Sequence, residues 1–427
     1  MPFRKICVLG LGYIGLPTAS TFATHGLDVI GVDVNRHVVD VLRNGGVHIH
    51  EPGLRTLVQA AFHSGKLTVR ETPVAADAFI IAVPTPIRED KRADMKAVTS
   101  AAESIVPFLR KGNLVVLEST SPPLTTQQLV APILERSGLK VGDDVHLAYS
   151  PERVLPGKIL SEIIENARVI GGVTPESAEA GRDLYNVFVR GDIILTDSTS
   201  AEMVKLMENT FRDVNIAIAN EFANLAEMFG VNVWEAITTA NLHPRVTILR
   251  PGPGVGGHCI SVDPWFLVEA APDDTPLIRQ ARRVNDGQPA RVVARLEAQT
   301  GDLAGKRIAA LGLAYKPDVD DLRESPAIHV VSELLQRGAK VRTYEPFALE
   351  TKIGAAVPAP TLEEAMQDAD ALLLLVNHTP FLELDPAVVA RYMQGELVMD
   401  TRGVWEPDAW MAAGLTLIRL GDGRQYA

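Results

Sequence analysis

Cysteine is almost missing from this chain: Cys7 and Cys259 are the only two in 427 residues. That excludes a disulfide framework and suits a reducing compartment, where a lone thiol is either packing or a reactive group. Basic charge is also in short supply. Against 53 Asp and Glu stand 41 Lys and Arg, giving a formal net charge of -12, which argues against a nucleic-acid partner and makes any anionic ligand depend on locally gathered cations and backbone amides. No apolar run approaches the roughly 18 residues of a membrane span. The opening MPFRKICVLGLGYIGLP has the look of a short signal peptide, but glycines interrupt it and the charged GVDVNR follows within the same fold unit. The expectation is a cytoplasmic, acidic enzyme with no membrane segment. At 46% hydrophobic composition the chain holds more than one core, so two or three domains are expected.

What is present is regular. KICVLG, DVIGVD, AFIIAVP, LVVLEST and VHLAYS alternate with amphipathic stretches, the pattern of a wound parallel sheet. From Asp197 the run TSAEMVKLMENTFRDVNIAIANEFANLAEMFG continues without proline to Gly230, with apolar residues at helical spacing. It reads as one long helix closed by a glycine. At Lys306 strands resume with KRIAALGLAYK, which parallels KICVLGLGYIG, followed by KVRTYEP, ALLLLVN and ELVMDTRG. The expected fold class is α/β, with two Rossmann-like doubly wound domains joined by a helical middle domain with one long central helix. The expected boundaries are 1–196, 197–300 and 301–427, the middle part serving as a dimer surface or simply as a spine.

Gly10, Gly12 and Gly15 form G-x-G-x-x-G between an apolar strand and a helical pattern. In that setting the first glycine allows the tight turn, the second lets a pyrophosphate approach the backbone, and the third lets helix pack on strand. Asp33 lies at the end of DVIGVD, where a carboxylate accepts from ribose hydroxyls and repels a 2′-phosphate, so NAD is favoured over NADP. A structural turn in some other α/β protein is the alternative. Thr85 in AVPTP and Thr120 in ESTSPP fall at strand ends on the carboxyl edge of the sheet, as cofactor contacts or as plain turn residues.

Lys205 and Asn209 stand four apart on the long helix and share a face. Apolar Met203, Leu206 and Met207 suggest a sheltered amine, although a helical Lys is more often a solvated charge. Cys259 follows the glycine run GPGVGGH. A nicotinamide enzyme that continues past the aldehyde needs a covalent adduct from which a second hydride can leave, and a thiolate supplies it as a thiohemiacetal that becomes a thioester. The glycine approach would let backbone lie close to a substrate, and Asp263 would hold a water or an ammonium group. Cys259 as a small hydrophobe in a turn is the plain alternative. His258 is assigned no role.

GLGYIGLP, AVPTP, ESTSP, YSPERVLPG, EMVKLMENTFRDVNIAIANE, HPRV, GPGVGGHCISVDPWF and YKPDVDDLRESPA run in order from end to end. Together they resemble the UDP-glucose/GDP-mannose dehydrogenase family of nucleotide-sugar 6-dehydrogenases. The resemblance implies Cys259 as nucleophile, Lys205 and Asn209 as oxyanion stabilisers, Asp263 as the holder of a water that serves as base, and Glu152 assisted by Thr120 in thioester hydrolysis. It implies NAD contacts at Gly10, Gly12, Tyr13, Ile14, Gly15, Asp33, Thr85, Thr120 and Arg323. Substrate contacts would come from Glu152, Arg153, Lys205, Asn209, Arg212, Gly256, Lys316, Arg323 and Arg402, with Arg245 reaching across a dimer interface. The C-terminal domain would hold UDP, the assembly would be a homodimer or a higher homo-oligomer, and no metal is implied. The UDP-glucose branch typically has Lys where this chain has Val262, which points to an N-acetylhexosamine without settling its epimer; the resemblance as a whole implies UDP-N-acetyl-D-mannosamine, oxidised at C6 to the uronate. UDP-N-acetyl-D-glucosamine, an epimerase or single-step reductase, and a silent sugar-nucleotide sensor stay open as alternatives. The ESTSPPLTT segment lacks the glycine often found after this proline pair.

Overall fold

In the computed structural model of the chain the described residues are 3–424, so the outermost ends of the expected first and last domains lie outside them. The chain divides into two compact units, Met1–Glu208 with Trp265–Pro272, and Asn209–Pro264 with Asp273–Ala427.

The first unit is built on eight strands: β1 (Lys5–Leu9), β2 (Asp28–Val32), β3 (Leu67–Arg70), β4 (Ala78–Ile81), β5 (Leu114–Leu117), β6 (His146–Tyr149), β7 (Arg168–Gly172) and β8 (Ile193–Asp197). Their order is β3-β2-β1-β4-β5-β6-β7-β8. Strands covered on both faces must be apolar on both, and β1 shows how. Ile6 and Val8 join one core cluster while Cys7 and Leu9 join the other on the opposite face. The sheet is not wholly parallel as the strand pattern suggested. β7 runs antiparallel to β6, its Gly171 and Gly172 opposite Tyr149 and Ala148, and β8 pairs parallel to β7. β7 and β8 thus form a reversed pair added to the six-stranded parallel part.

The second unit repeats the plan with β9 (Arg307–Leu311), β10 (Lys340–Tyr344), β11 (Val357–Pro358), β12 (Ala371–Leu374), β13 (Leu397–Asp400) and β14 (Thr416–Arg419). Their order is β11-β10-β9-β12-β13-β14, and all neighbours are parallel. This is the doubly wound order with the first strand central. Ile308 and Ala310 face one core while Ala309 and Leu311 face the other, as in β1.

The long run after Asp197 is a single helix, Ser198–Phe229, of 32 residues. It stops where Gly230 turns left-handed at φ +69°. Its second half anchors a buried polar network in the second unit. Arg282 Nη1 donates to Asp213 Oδ1 (2.5 Å), Asn285 Nδ2 to the same oxygen (2.8 Å), and Asn220 Nδ2 to Asn285 Oδ1 (2.9 Å). Asn220 Oδ1 in turn accepts the Gly252 N–H at 2.9 Å, so the network fixes the start of the GPGVGG stretch. Among the described residues no helix is long and apolar enough to cross a membrane.

Candidate active site

In the first unit the candidate residues gather at the carboxyl ends of the central strands. Gly10 leaves β1 at φ +90°, a conformation natural only to glycine, and its N–H donates to Val32 O at 2.8 Å. A Cβ on Gly15 would stand 1.8 Å from Gly10 O, so the third glycine is there for packing at the start of helix Gly15–Thr24. Gly12 differs: a Cβ there would meet nothing within 4 Å. The middle glycine keeps the space above the turn open, and Tyr13 and Ile14 follow it, half-buried. At the end of β2, Asp33 Oδ2 accepts the Leu11 N–H (2.9 Å) and Oδ1 the Asn35 N–H (2.8 Å), which orients the carboxylate and leaves each oxygen a lone pair. The turn, the open face and the half-buried acid fit an adenine dinucleotide.

The next two strand ends are tied together. Ser119 Oγ donates to Val83 O at 2.7 Å, which joins the ESTSPP segment to AVPTP; Thr85 is buried and Thr120 half-buried. Where the segment lacks a glycine, Leu124 takes the left-handed conformation itself, at φ +71°, a strain of order 1 kcal/mol for an L-residue. Buried Glu202 on the long helix offsets it. Its Oε2 accepts the Leu124 N–H (2.6 Å), and its Oε1 accepts the Thr126 N–H (2.8 Å) and Oγ1–H (2.6 Å).

Glu152, just past β6, accepts Arg168 Nη2 at 2.5 Å through Oε2 and its neighbour's N–H (Arg153) at 2.8 Å through Oε1. Arg153 is engaged by Glu208 Oε1 at 2.7 Å and by Ala167 O. Lys205 is buried on the long helix, 8% exposed, and Arg212 on the same helix is exposed.

In the second unit Cys259 is exposed in a turn, with its backbone oxygen accepting the N–H groups of Val262 (3.1 Å) and Asp263 (2.8 Å). Asp263 is buried at the first position of helix Asp263–Ala270, where the helix dipole favours a carboxylate, and its Oδ2 accepts Asn209 Nδ2 at 2.5 Å. The structure therefore joins Asn209, Asp263 and the Cys259 turn. Burial pulls the His258 imidazole below its ordinary value, and the Arg323 charge acts in the same direction. The preceding glycines come close mainly to their own chain. A Cβ on Gly256 would meet Glu324 O at 2.5 Å, one on Gly257 the Tyr315 ring at 2.8 Å, and one on Gly252 Arg402 Nη1 at 2.4 Å. The expected close approach is thus to the 315–326 loop and Arg402.

That loop and the β13 end line a small cleft with Pro253, Gly254, Tyr315, Lys316, Val376 and Arg402. Burial holds the Arg402 guanidinium below its usual value; Asp400 opposes this and Arg250 adds to it. Arg323 is engaged by Asp321 through two hydrogen bonds, at 2.9 and 2.6 Å, and Arg245 is exposed. A further counterpart escaped the sequence reading. Glu345, at the end of β10, occupies in its own sheet the place Asp33 has in the first. Its Oε2 accepts the N–H groups of Leu313 (2.6 Å) and Ala314 (3.0 Å), while His378 Nε2 lies 3.0 Å from the same oxygen. A carboxylate so occupied leaves little for a ribose. The signal was an acid closing the second strand of each half, IGVD in one and RTYE in the other.

Residues 4–189, 199–287 and 309–407 match, in turn, the NAD binding, central and UDP binding domains of the UDP-glucose/GDP-mannose dehydrogenase family. The chain belongs to that family. It is 48% identical to a UDP-N-acetyl-D-mannosamine dehydrogenase of Methanococcus maripaludis, over 98% of this chain and 97% of the relative. It is 49% identical to an NDP-N-acetyl-D-galactosaminuronic acid dehydrogenase of Ralstonia solanacearum, over 94% of this chain and 96% of the relative. Among solved structures, a UDP-D-ManNAc dehydrogenase from Pyrococcus horikoshii superimposes with a TM-score of 0.91 at 41% identity, covering 98% of this chain and 99% of that one. Family membership makes the protein an NAD-dependent oxidoreductase, and the Gly10–Gly15 turn with Asp33 lies within the residues that match the NAD binding domain.

Proposed function

We propose that the protein oxidises the C6 hydroxyl of UDP-N-acetyl-D-mannosamine to the uronate, with two NAD and one water consumed per sugar. The observation that carries the reading is the exposed Cys259 on a turn hydrogen-bonded to Asp263, which is itself held by Asn209. NAD, when bound, accepts a hydride in each of the two oxidations. The first oxidation leaves an aldehyde, to which the Cys259 thiolate adds; Lys205 and Asn209 stabilise the resulting oxyanion. The second turns that adduct into a thioester on Cys259. Glu152, with Thr120 near it in the sequence of strand ends, assists attack of water on the thioester, releasing the carboxylate and the thiol. Asp263 holds the water that takes the hydroxyl proton. Lys316 and Arg402 line a cleft suited to the substrate diphosphate, where charge-assisted bonds are the strong ones.

The sugar is read from the relatives, and Val262 supports only its N-acetylhexosamine class. That side chain is 3% exposed, so a Lys at this position would bury an ammonium group. The 49% identity to the galactosaminuronic acid dehydrogenase supports a second reading, the same chemistry on another N-acetylhexosamine. We also read the three family-matched segments as the functional domains and the chain as cytoplasmic and dimeric. The dimer rests on an exposed apolar stripe at helical spacing, Met207, Phe211, Ile218, Phe222, Leu225 and Phe229.

NADH counted against sugar consumed, with the C2 and C4 epimers of the UDP-N-acetylhexosamine assayed side by side, tests both parts. Two NADH per sugar and a preference for the manno epimer are expected. A ratio of one refutes the four-electron scheme, and preference for another epimer refutes the assignment of the sugar. In Cys259→Ala acid formation should vanish with NAD binding intact.

A further inference from the structure

Behind Glu152 in the first unit, a second carboxylate, a guanidinium and a phenol are packed away from solvent. Arg168, on β7, is 4% exposed; its Nη2 donates to Glu152 Oε2 at 2.5 Å, and its Nη1 to Glu118 Oε1 at 3.2 Å and Ser150 Oγ at 3.0 Å. Tyr185, the last residue of helix Pro175–Tyr185, donates its hydroxyl to the same Glu118 oxygen at 2.5 Å, and its ring lies 4.3 Å from the Arg168 guanidinium carbon. Glu118, at the end of β5, leaves its other oxygen, Oε2, buried and without a hydrogen-bond partner. Two carboxylates therefore share one cation in the core. Burying the odd negative charge costs several kcal/mol, and the cluster escapes that cost when one carboxyl is protonated.

Glu118 is the carboxyl that takes the proton. Burial pushes it up to about 7; the Glu152 charge adds to the rise, while Arg168 and the Tyr185 hydroxyl oppose it. Those three groups, from β7, from the segment after β6 and from the helix Pro175–Tyr185, are the charged and titratable neighbours that face it. Tyr185 is held well above its usual value by the same burial and by Glu118, so it stays a donor.

We propose that Glu118, acting through Arg168, is a positioning residue for Glu152 that governs the hydrolytic half of the reaction and leaves the two oxidations untouched. The inference rests on the reading of Glu152 as the residue that assists thioester hydrolysis. With Glu118 protonated, the guanidinium is committed to Glu152, which is held but electrostatically quenched. When Glu118 loses its proton to bulk water, the guanidinium is shared between two carboxylates, and Glu152 is freer to take a proton from the attacking water. Hydrolysis then speeds up as pH rises through neutrality, by about threefold to tenfold, a small part of the roughly hundredfold or more that general-base assistance contributes, because sharing the guanidinium frees Glu152 only in part.

The test follows the acyl adduct on Cys259 in the full-length enzyme with NAD and UDP-N-acetylmannosamine. Acid quench and intact-mass spectrometry at pH 6 to 8.5 give the rate of adduct decay, and stopped-flow absorbance gives the initial NADH burst. In the wild type, decay should rise with an inflection near neutral pH. Glu118→Gln keeps the shape and the acceptor for Tyr185 and Arg168; its burst should be unchanged, with decay flat at the slow low-pH rate. Tyr185→Phe removes a bond that favours the ionised carboxyl and should move the inflection to higher pH. Glu152→Gln should accumulate adduct at every pH. If Glu152→Gln accumulates adduct while Glu118→Gln keeps the wild-type inflection, the proposal is overturned and the role of Glu152 stands. If Glu152→Gln hydrolyses at the wild-type rate, the role of Glu152 falls and the proposal with it. Should Glu118→Gln give no burst, an unmoved inflection in Tyr185→Phe overturns the proposal.

Discussion

An alanine at Gly12 would put its Cβ into open space: no atom lies within 4 Å, and the backbone there is not left-handed. Folding should tolerate it, with a gain of up to about 1 kcal/mol from the reduced freedom of the unfolded chain. The same open space is where the pyrophosphate must approach the turn. Pushing it away forfeits at least one charge-assisted backbone hydrogen bond, about 1.5 to 3 kcal/mol, so NAD should bind about 10- to 100-fold more weakly. Gly15→Ala is the counter-case, because its Cβ would lie 1.8 Å from Gly10 O and 3.0 Å from Gly10 C, backbone atoms with no rotamer to yield. It should cost about 3 kcal/mol of stability, the upper range for overpacking. Urea unfolding and calorimetric NAD titration of both variants distinguish the two roles. A Gly12→Ala protein that binds NAD normally, or that unfolds as readily as Gly15→Ala, would refute the assignment.

The remaining expectations are briefer. Cys7 is fully buried, and burial pushes its thiol up to about 11, so below that pH it stays protonated as well as covered. A maleimide at pH 7.5 should label one thiol per native chain, at Cys259, and a second only on unfolding; native labelling of Cys7 would contradict this. Arg282→Ala strands the buried Asp213 carboxylate and should destabilise the protein by about 3 to 5 kcal/mol in urea, with Arg282→Met/Asp213→Leu recovering much of the loss. Phe211→Glu/Phe222→Glu places two charges in the exposed stripe and should leave a folded monomer by light scattering, whereas an unchanged oligomer would place the interface elsewhere.

The order of apolar runs, the glycine spacing and the closing acid determined a great deal without help. β1, β2, β4, β5 and β6 fall on the quoted runs, the long helix begins and ends as its periodicity required, and KRIAALGLAYK does begin a second sheet. These are local properties, because a buried parallel strand has to be apolar on both faces and a helix has to repeat its apolar side. Cys259, Asn209 and Asp263 could be singled out by residue type, but their hydrogen bonds could not. The antiparallel entry of β7, the left-handed Leu124 held by Glu202, and the buried Asp213, Arg282, Asn285 and Asn220 network depend on partners tens of residues distant. So does the sharing of Arg168 between Glu118 and Glu152, 50 and 16 residues away. A charged residue reads in sequence as solvated surface; only the tertiary structure decides that its charge is buried, and burial is what turns Glu118 from an acid that is always ionised into one that titrates near neutral pH.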